Sequence, residues 1–498
     1  MEGFVHSLLD AATEKDPGRV ALLADQQTVT YRELQDQTRC FARYLHNLGV
    51  ERGDRVAILL PNSVPVVAAI MAASRLGALY VVLNWDTKAY QLAYILADAT
   101  PRVLLTSHAR LAEVQEISSQ IHLLTVEDDW DRAMQSVPYE EDPVHITQDL
   151  ASLIYTSGST GRPKAVMSTH RNIRFATAAI QACLKMQTSD VVGLFLPLAF
   201  DYGLYQVFLT FQVGATLALG RELDAGPRLL QRLYEWQITG FPLVASLAES
   251  LFRLCRRPGA RLPALRYITN TGMHLPLTYI QELQGIWPHA RIYVMFGQTE
   301  CKRIAILDPA DFARKSHSVG RPLPDTECLI VDSKEQILAP GNIGELVVRG
   351  PHVMAGYWNA PEITEQRYRR LGPALQTALF TGDFCSLDED GFLYFHGRQD
   401  DIYKQKGYRV SALEIETSTL DIEGVNQAAL IPYVDDKGAV LFIQGVIEPD
   451  EVLRQLHLRL ESQKVPDRVV QVAQIPLTAN GKIDKGQLKE YFLMEVKA

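Results

Sequence analysis

The residues best suited to chemistry form one polar run, Tyr155-Thr156-Ser157-Gly158-Ser159-Thr160-Gly161-Arg162-Pro163-Lys164. Four hydroxyls (Thr156, Ser157, Ser159, Thr160) can donate to phosphate oxygens. Gly158 and Gly161 let backbone N–H groups approach an anion closely, and Arg162 and Lys164 add positive charge. The run suits a polyphosphate, yet it is not a Walker-type loop: Ala165 follows Lys164 where a hydroxyl residue is required, and the glycine spacing differs. Single carboxylates beside glycine or threonine recur downstream, in Gly297-Gln298-Thr299-Glu300 and Thr381-Gly382-Asp383. Alone, the first reads equally well as a helix cap and the second as a turn aspartate. Lys482 follows Asn480-Gly481, a turn pair that presents a point charge.

These residues need elements to hold them. From about residue 50 to 300, short β-rich runs alternate with segments of helical period, the pattern of a helix-covered parallel sheet. Val56–Leu60, Val81–Leu83, Leu153–Tyr155, Gly193–Leu196 and Tyr267–Asn270 read as strands; Val64–Leu76, Ala89–Ala99, Asn172–Met186, Leu204–Phe211 and Leu277–Leu283 read as the helices that follow them. After about residue 320, Glu327–Val331, Glu345–Arg349 and Leu393–His396 read as strands among turns. The expectation is an α/β chain with a large N-terminal domain, residues 1–399, whose β-rich subdomain covers about 320–399. A small α+β C-terminal domain, 400–498, follows the polar stretch Gly397-Arg398-Gln399-Asp400-Asp401.

The phosphate-loop run resembles the signature of the acyl-adenylate-forming superfamily, which includes acyl-CoA synthetases, nonribosomal peptide synthetase adenylation domains and luciferases. Further stretches resemble its motifs in order: Val29-Thr30-Tyr31-Arg32-Glu33-Leu34, Leu76-Gly77-Ala78-Leu79-Tyr80, Phe296-Gly297-Gln298-Thr299-Glu300, Gly356-Tyr357-Trp358, Thr381-Gly382-Asp383, Gly397-Arg398-Gln399-Asp400-Asp401, Gly407-Tyr408-Arg409-Val410 and Asn480-Gly481-Lys482-Ile483. The resemblance spans nearly the whole chain. It implies that ATP, with Mg²⁺, activates a small carboxylic acid as an acyl-adenylate, and that the acyl group then passes to a thiol. Coenzyme A and the phosphopantetheine of a separate acyl or peptidyl carrier protein both fit as acceptor. A stand-alone amino acid adenylation enzyme loading a carrier protein is a narrower reading; an inactive nucleotide-binding protein is a remote one.

The same resemblance implies residue roles. Thr160 and the loop (Thr156, Ser157, Gly158, Ser159, Gly161, Lys164) would hold phosphates, Thr299 the α-phosphate, Glu300 the Mg²⁺ and Asp383 the ribose, with Phe296 against adenine and Arg398 assisting. Lys482 would bridge carboxylate and α-phosphate once the small domain closes, Asp400 would be the hinge, and Gly407 and Arg409 would belong to the thioester-forming face. Phe200, Asp201, Tyr205, Gly240, Ile268, Asn270, Met295 and Arg303 are candidates for the acyl pocket. Asp201 has two readings: it binds a substrate ammonium, or it pairs with Arg303, because a buried charge needs a partner.

Bulk properties limit the alternatives. The 498 residues correspond to about three domain-sized units at roughly 150 residues each. A net charge of −9 without a dense Lys/Arg run argues against nucleic acid as partner. The six cysteines (Cys40, Cys183, Cys255, Cys301, Cys328, Cys385) have no zinc spacing and read as reduced structural thiols. Met1-Glu2-Gly3-Phe4 lacks a basic signal-peptide start, so a cytoplasmic location is expected. Pro61 and Pro65 interrupt the apolar stretch Val56–Ser74, which therefore reads as strand, turn and buried helix and not as a membrane span.

Overall fold

The computed structural model describes residues 3–25, 27–117, 121–141, 145–156, 163–221, 226–255, 262, 264–272, 275–372, 377–398, 402–405, 408–435, 438–460, 464–478 and 483–495. Among them, the alternating strands and helices of the first 300 residues build two mostly parallel sheets. One holds six strands in the spatial order His122–Thr125, Val103–Thr106, Arg55–Leu59, Leu79–Leu83, Leu150–Thr156 and Lys164–Thr169. All neighbours run parallel except the last pair, an antiparallel hairpin in which Thr156 faces Lys164. That hairpin carries the phosphate-loop run at its tip.

The second sheet holds nine strands: Arg321–Pro322, Ala305–Leu307, Arg291–Phe296, Tyr267–Asn270, Gly240–Leu243, Val191–Leu194, Thr216–Leu219, Val20–Ala24 and Gln27–Thr30. Its middle is parallel and its ends antiparallel. Helices Val64–Arg75 and Asp201–Val213 lie between the sheets, within one apolar core that includes Val56 and Ile58 from one sheet and Val192, Leu217 and Met295 from the other. Both helices are apolar around most of their circumference, as burial on all sides requires. The suspected membrane stretch is thus the strand Arg55–Leu59 and the buried helix Val64–Arg75. No helix among the described residues is long and apolar enough to cross a membrane.

The helix expected over Leu204–Phe211 begins earlier, at Asp201. Gly203 lets its first turn pack tightly, since a Cβ there would lie 2.3 Å from the Pro197 carbonyl oxygen. This early start puts Asp201 at a helix N-terminus, where the helix dipole favours a carboxylate. After residue 320 comes a five-stranded sheet of Glu327–Val331, Gly344–Arg349, Tyr368–Arg370, Thr377–Leu387 and Leu393–Arg398. Beyond residue 400, Tyr403, Ile415, Leu430, Leu441 and Leu456 share an apolar core of their own. The six cysteines are free thiols.

Candidate active site

The site is organised by the turn that joins Arg291–Phe296 to Ala305–Leu307. Gly297 is required there, because a Cβ would lie 2.1 Å from the Lys302 carbonyl oxygen. Lys302 adopts a left-handed backbone with φ +65°, a conformation that costs a non-glycine residue about 1 kcal/mol or more. The result is that both Lys302 and Arg303 are buried, 1% and 5% exposed. Thr299 and Glu300 occupy the same turn at the C-terminal end of a parallel strand, the usual position for ligand-binding groups in open α/β sheets.

On one side of the turn lies a cluster of charges. Asp201 Oδ2 sits 2.9 Å from Lys302 Nζ and accepts a 3.1 Å hydrogen bond from the Thr299 hydroxyl. The other oxygen, Oδ1, bonds no described residue. Burial, the largest single influence, raises the pKa of Asp201, but the Lys302 ammonium together with the Arg303 charge and the Thr299 hydroxyl holds the carboxyl below its usual range. Burial also lowers the Lys302 amine to about 8 despite Asp201. The ammonium lies 3.8 Å from the centroid of the Tyr205 ring, whose electron-rich face suits it. Of the two readings of Asp201, the internal pair is made with Lys302 and not with Arg303, whose charge nonetheless also lowers the Asp201 pKa. Arg303 Nη1 donates instead to Thr271 Oγ1 at 2.7 Å, and its guanidinium lies over the Tyr202 ring at 5.4 Å. The cluster of Asp201, Lys302 and Arg303 (−1, +1, +1) therefore keeps one positive charge.

Other expected pocket residues divide between rim and core. Phe200, partly buried, precedes the helix and packs edge-on to Tyr202. Asn270 closes its strand, 1% exposed, with its amide 3.4 Å from the Leu243 carbonyl oxygen. Met295 is buried in the central core. Gly240 and Ile268 are tightly packed on their strands. A Cβ on Gly240 would lie 2.2 Å from the Tyr267 ring, and Ile268, fully buried, packs in a cluster with Phe241, Leu265 and Leu275. Strand alternation sets Ile268 on the face opposite Thr269, whose carbonyl accepts from the Tyr202 hydroxyl at 2.8 Å.

On the other side of the turn the groups are acceptors held by mostly neutral donors. Glu300 Oε1 accepts from the Tyr357 hydroxyl at 2.6 Å. Asp383, 2% exposed, has Gln298 Nε2 at 3.3 Å from Oδ2 and Arg398 Nε at 3.3 Å from Oδ1. Arg398 lies directly across the strand pair from Asp383. Arg367 donates to the Thr381 carbonyl at 2.5 Å and to Gln298 Oε1 at 3.4 Å, fixing the amide that reaches Asp383. The Phe296 ring meets Phe395 at a tilt, with centroids 5.1 Å apart. Thr156 and Lys164 stand at the base of the phosphate-loop hairpin, with a long 3.4 Å contact from Thr156 Oγ1 to the Lys164 carbonyl.

Ser157, Gly158, Ser159, Thr160, Gly161, Asp400, Gly407 and Lys482 lie outside the described residues. Lys482 falls between Leu477 and Ile483, which form an antiparallel bridge, and Arg409 lies in the strand Tyr408–Ser411. Four contributors carry no assignment from the sequence. Gln298 and Tyr357 stand inside recognised motifs, so their motif membership was a usable signal. Thr271 and Arg367 carry no such mark.

Comparison with known proteins places this geometry. The family model described as AMP-binding enzyme matches residues 9–358. Tyrocidine synthase 2 of Brevibacillus parabrevis is 29% identical over 496 residues, 98% of this chain and 14% of that protein, so the chain spans about one-seventh of that relative. The structure of VinN in complex with L-aspartate is 38% identical over 80% of this chain and 99% of that one, with a TM-score of 0.74. The o-succinylbenzoate coenzyme A synthetase MenE of Bacillus subtilis, in complex with AMP, is 28% identical over 98% of both chains, with a TM-score of 0.83.

Proposed function

Because the chain belongs to the family of AMP-binding enzymes, within the acyl-adenylate-forming superfamily, we propose that it uses ATP to convert an acidic amino acid into an acyl-adenylate and passes the acyl group to a thiol. The observation that carries this reading is the single turn Phe296–Arg303. It bears Thr299 and Glu300 on the nucleotide side and, a few residues on, the buried cations that meet Asp201 and Thr271.

The charges select the acid. A carboxylate has about four acceptor positions, and in Asp201 only Oδ2 is engaged, by Lys302 and Thr299. Oδ1 is available to a substrate ammonium, so the internal pair and amine recognition are compatible. Arg303 and Lys302 carry one positive charge more than Asp201 neutralises, which a second substrate carboxylate would match. An aspartate-like acid supplies both groups besides the carboxyl that reacts, and the relative VinN has been solved with L-aspartate.

In the reaction, a substrate carboxylate oxygen attacks the α-phosphorus of ATP and pyrophosphate leaves. Charge gathers on phosphate, so preorganised donors and cations are the main lever. Thr299 and the 156–164 loop would orient phosphates, Asp383 would accept from the ribose hydroxyls, and Phe296 would flank adenine. Glu300 fits a Mg²⁺ ligand: it is a hard oxygen donor with one oxygen bonded to Tyr357 and none of the described residues on the other. Mg²⁺ needs only one or two carboxylates beside phosphates and water; it would supply charge neutralisation of the phosphates. On this reading residues 400–498 form a small domain that turns about Asp400, carrying Lys482 to the phosphate in one orientation and Gly407 and Arg409 to the thiol in the other.

ATP–pyrophosphate exchange across fatty, aromatic, neutral and acidic amino acids tests the proposal. Exchange with aspartate-like acids is expected, followed by thioester formation on coenzyme A or on a carrier protein's phosphopantetheine. Exchange restricted to fatty or aromatic acids contradicts the substrate assignment.

A further inference from the structure

We propose that Tyr357 is a positioning residue for the nucleotide-bound Mg²⁺, acting through Glu300; this rests on the reading of Glu300 as the cation ligand. The Tyr357 hydroxyl donates to Glu300 Oε1 at 2.6 Å, the short length of a charge-assisted bond. No described residue bonds Oε2. A carboxylate on a turn can otherwise rotate among its side-chain wells; the phenol fixes its plane and leaves one oxygen to face a cation.

Tyr357 is itself held firmly. It is 6% exposed, its ring meets Tyr368 edge-on at 5.8 Å, and its N–H donates to Thr364 Oγ1 at 2.9 Å. Gly356 before it is required, with φ +117° and space so limited that a Cβ would lie 2.5 Å from the Thr364 methyl.

The segment around Tyr357 joins the two halves of a prospective phosphate–metal site. Ala355 N–H donates to the Met167 carbonyl, Met167 N–H to Gly356 and Trp358 N–H to Ala165, each at 2.9 Å. It thus runs antiparallel beside Lys164–Thr169, the far arm of the phosphate-loop hairpin, through a bridge between Tyr357 and Val166. Trp358 Nε1 donates to the Asp98 carbonyl at 3.1 Å, and the Asp98 carboxylate accepts from Tyr155 at 2.6 Å, on the near arm. Met354 N–H donates to the Glu300 carbonyl at 2.9 Å, so the segment grips Glu300 by main chain and side chain together. A cation shared by a carboxylate and phosphates needs these two supports in fixed register, and Tyr357 is the side chain that spans them. Tyr368 serves as the contrast: its hydroxyl is buried without a partner among the described residues.

Calorimetric titration of Mg²⁺ into enzyme with ATP tests the proposal, using Tyr357→Phe, Tyr368→Phe and Glu300→Gln. Removal of a partner that orients a metal ligand weakens metal binding by 10- to 100-fold in comparable sites. Tyr357→Phe should therefore raise the Mg²⁺ concentration for half-maximal ATP binding about 10-fold, leave ATP affinity in EDTA and the melting temperature unchanged, and recover exchange activity at saturating Mg²⁺. Tyr368→Phe should match the wild type, and Tyr357→Phe added to Glu300→Gln should shift nothing further. An unaltered Mg²⁺ dependence in Tyr357→Phe, or an equal shift in Tyr368→Phe, overturns the role of Tyr357 alone. Wild-type ATP binding indifferent to Mg²⁺ overturns the reading of Glu300 and this inference with it.

Discussion

The two sides of the Phe296–Arg303 turn are built on opposite electrostatic plans. On one side, the carboxylates Glu300 and Asp383 meet the neutral donors Tyr357 and Gln298, and the Arg398 cation also stands beside Asp383. On the other, Asp201, Lys302 and Arg303 are charges of both signs packed together, the two cations buried. On the proposed reading the difference follows from what each side would meet. A nucleotide would bring its own charge and metal, so acceptors in fixed orientation would suffice. A small polar acid would bring little else for recognition and would be read through buried charge, where interactions are strong and mismatches costly.

Substitutions that cross this divide should behave differently. The largest effect is expected at Lys482, whose removal in Lys482→Ala should slow adenylate formation by about 10²–10³-fold, the typical loss for one transition-state donor. Thiol transfer from a supplied adenylate should be spared, and equal loss in both steps would contradict the role. Next, Asp201→Ala leaves a buried ammonium without its partner. Breaking such a pair costs about 3–5 kcal/mol, visible as a lower denaturation midpoint. Asp201→Ala with Lys302→Met should regain much of that stability, and a double variant as unstable as the single one would argue against the pair.

A smaller effect concerns pH. Burial lowers the Lys302 amine from 10.5 to about 8, so between those values the folded chain has released a proton that the unfolded chain still holds. Stability contributed through this group therefore rises with pH from about 8 towards 10.5 and is flat below 8. Recognition runs the other way: loss of the ammonium above about 8 should raise KM for an acidic substrate while KM for ATP stays level. Lys302→Met should abolish that break. The mildest effect is kinetic partition: Asp400→Pro fixes φ and should slow thioester formation more than pyrophosphate exchange, by a factor set by the fraction of turnover limited by rotation.

Much of this was legible in the sequence. The alternation of apolar runs and helical periods located Val64–Arg75, Ala89–Ala99 and Tyr267–Asn270 to within a few residues, because burial on a sheet or between sheets leaves a direct periodic trace. Motif order brought Phe296, Thr299, Glu300, Asp383 and Arg398 together. What escaped was geometry decided by one residue. Lys302, with its left-handed backbone, takes the place beside Asp201 considered for Arg303, and nothing in a Lys-Arg pair announces it. Thr271 and Arg367 act through contacts made across the fold, at positions no local pattern distinguishes.

The most direct test of the account compares kcat/KM in adenylate formation for aspartate, succinate and β-alanine. These carry both the ammonium and the second carboxylate, the carboxylate alone, and the ammonium alone. Charge reading by Asp201 on one hand and Lys302 with Arg303 on the other predicts that aspartate exceeds each of the others by about 5- to 100-fold, since each missing group strands a buried charge at about 1–3 kcal/mol. Equal use of the three acids, or a preference for an uncharged acid over all of them, would contradict it.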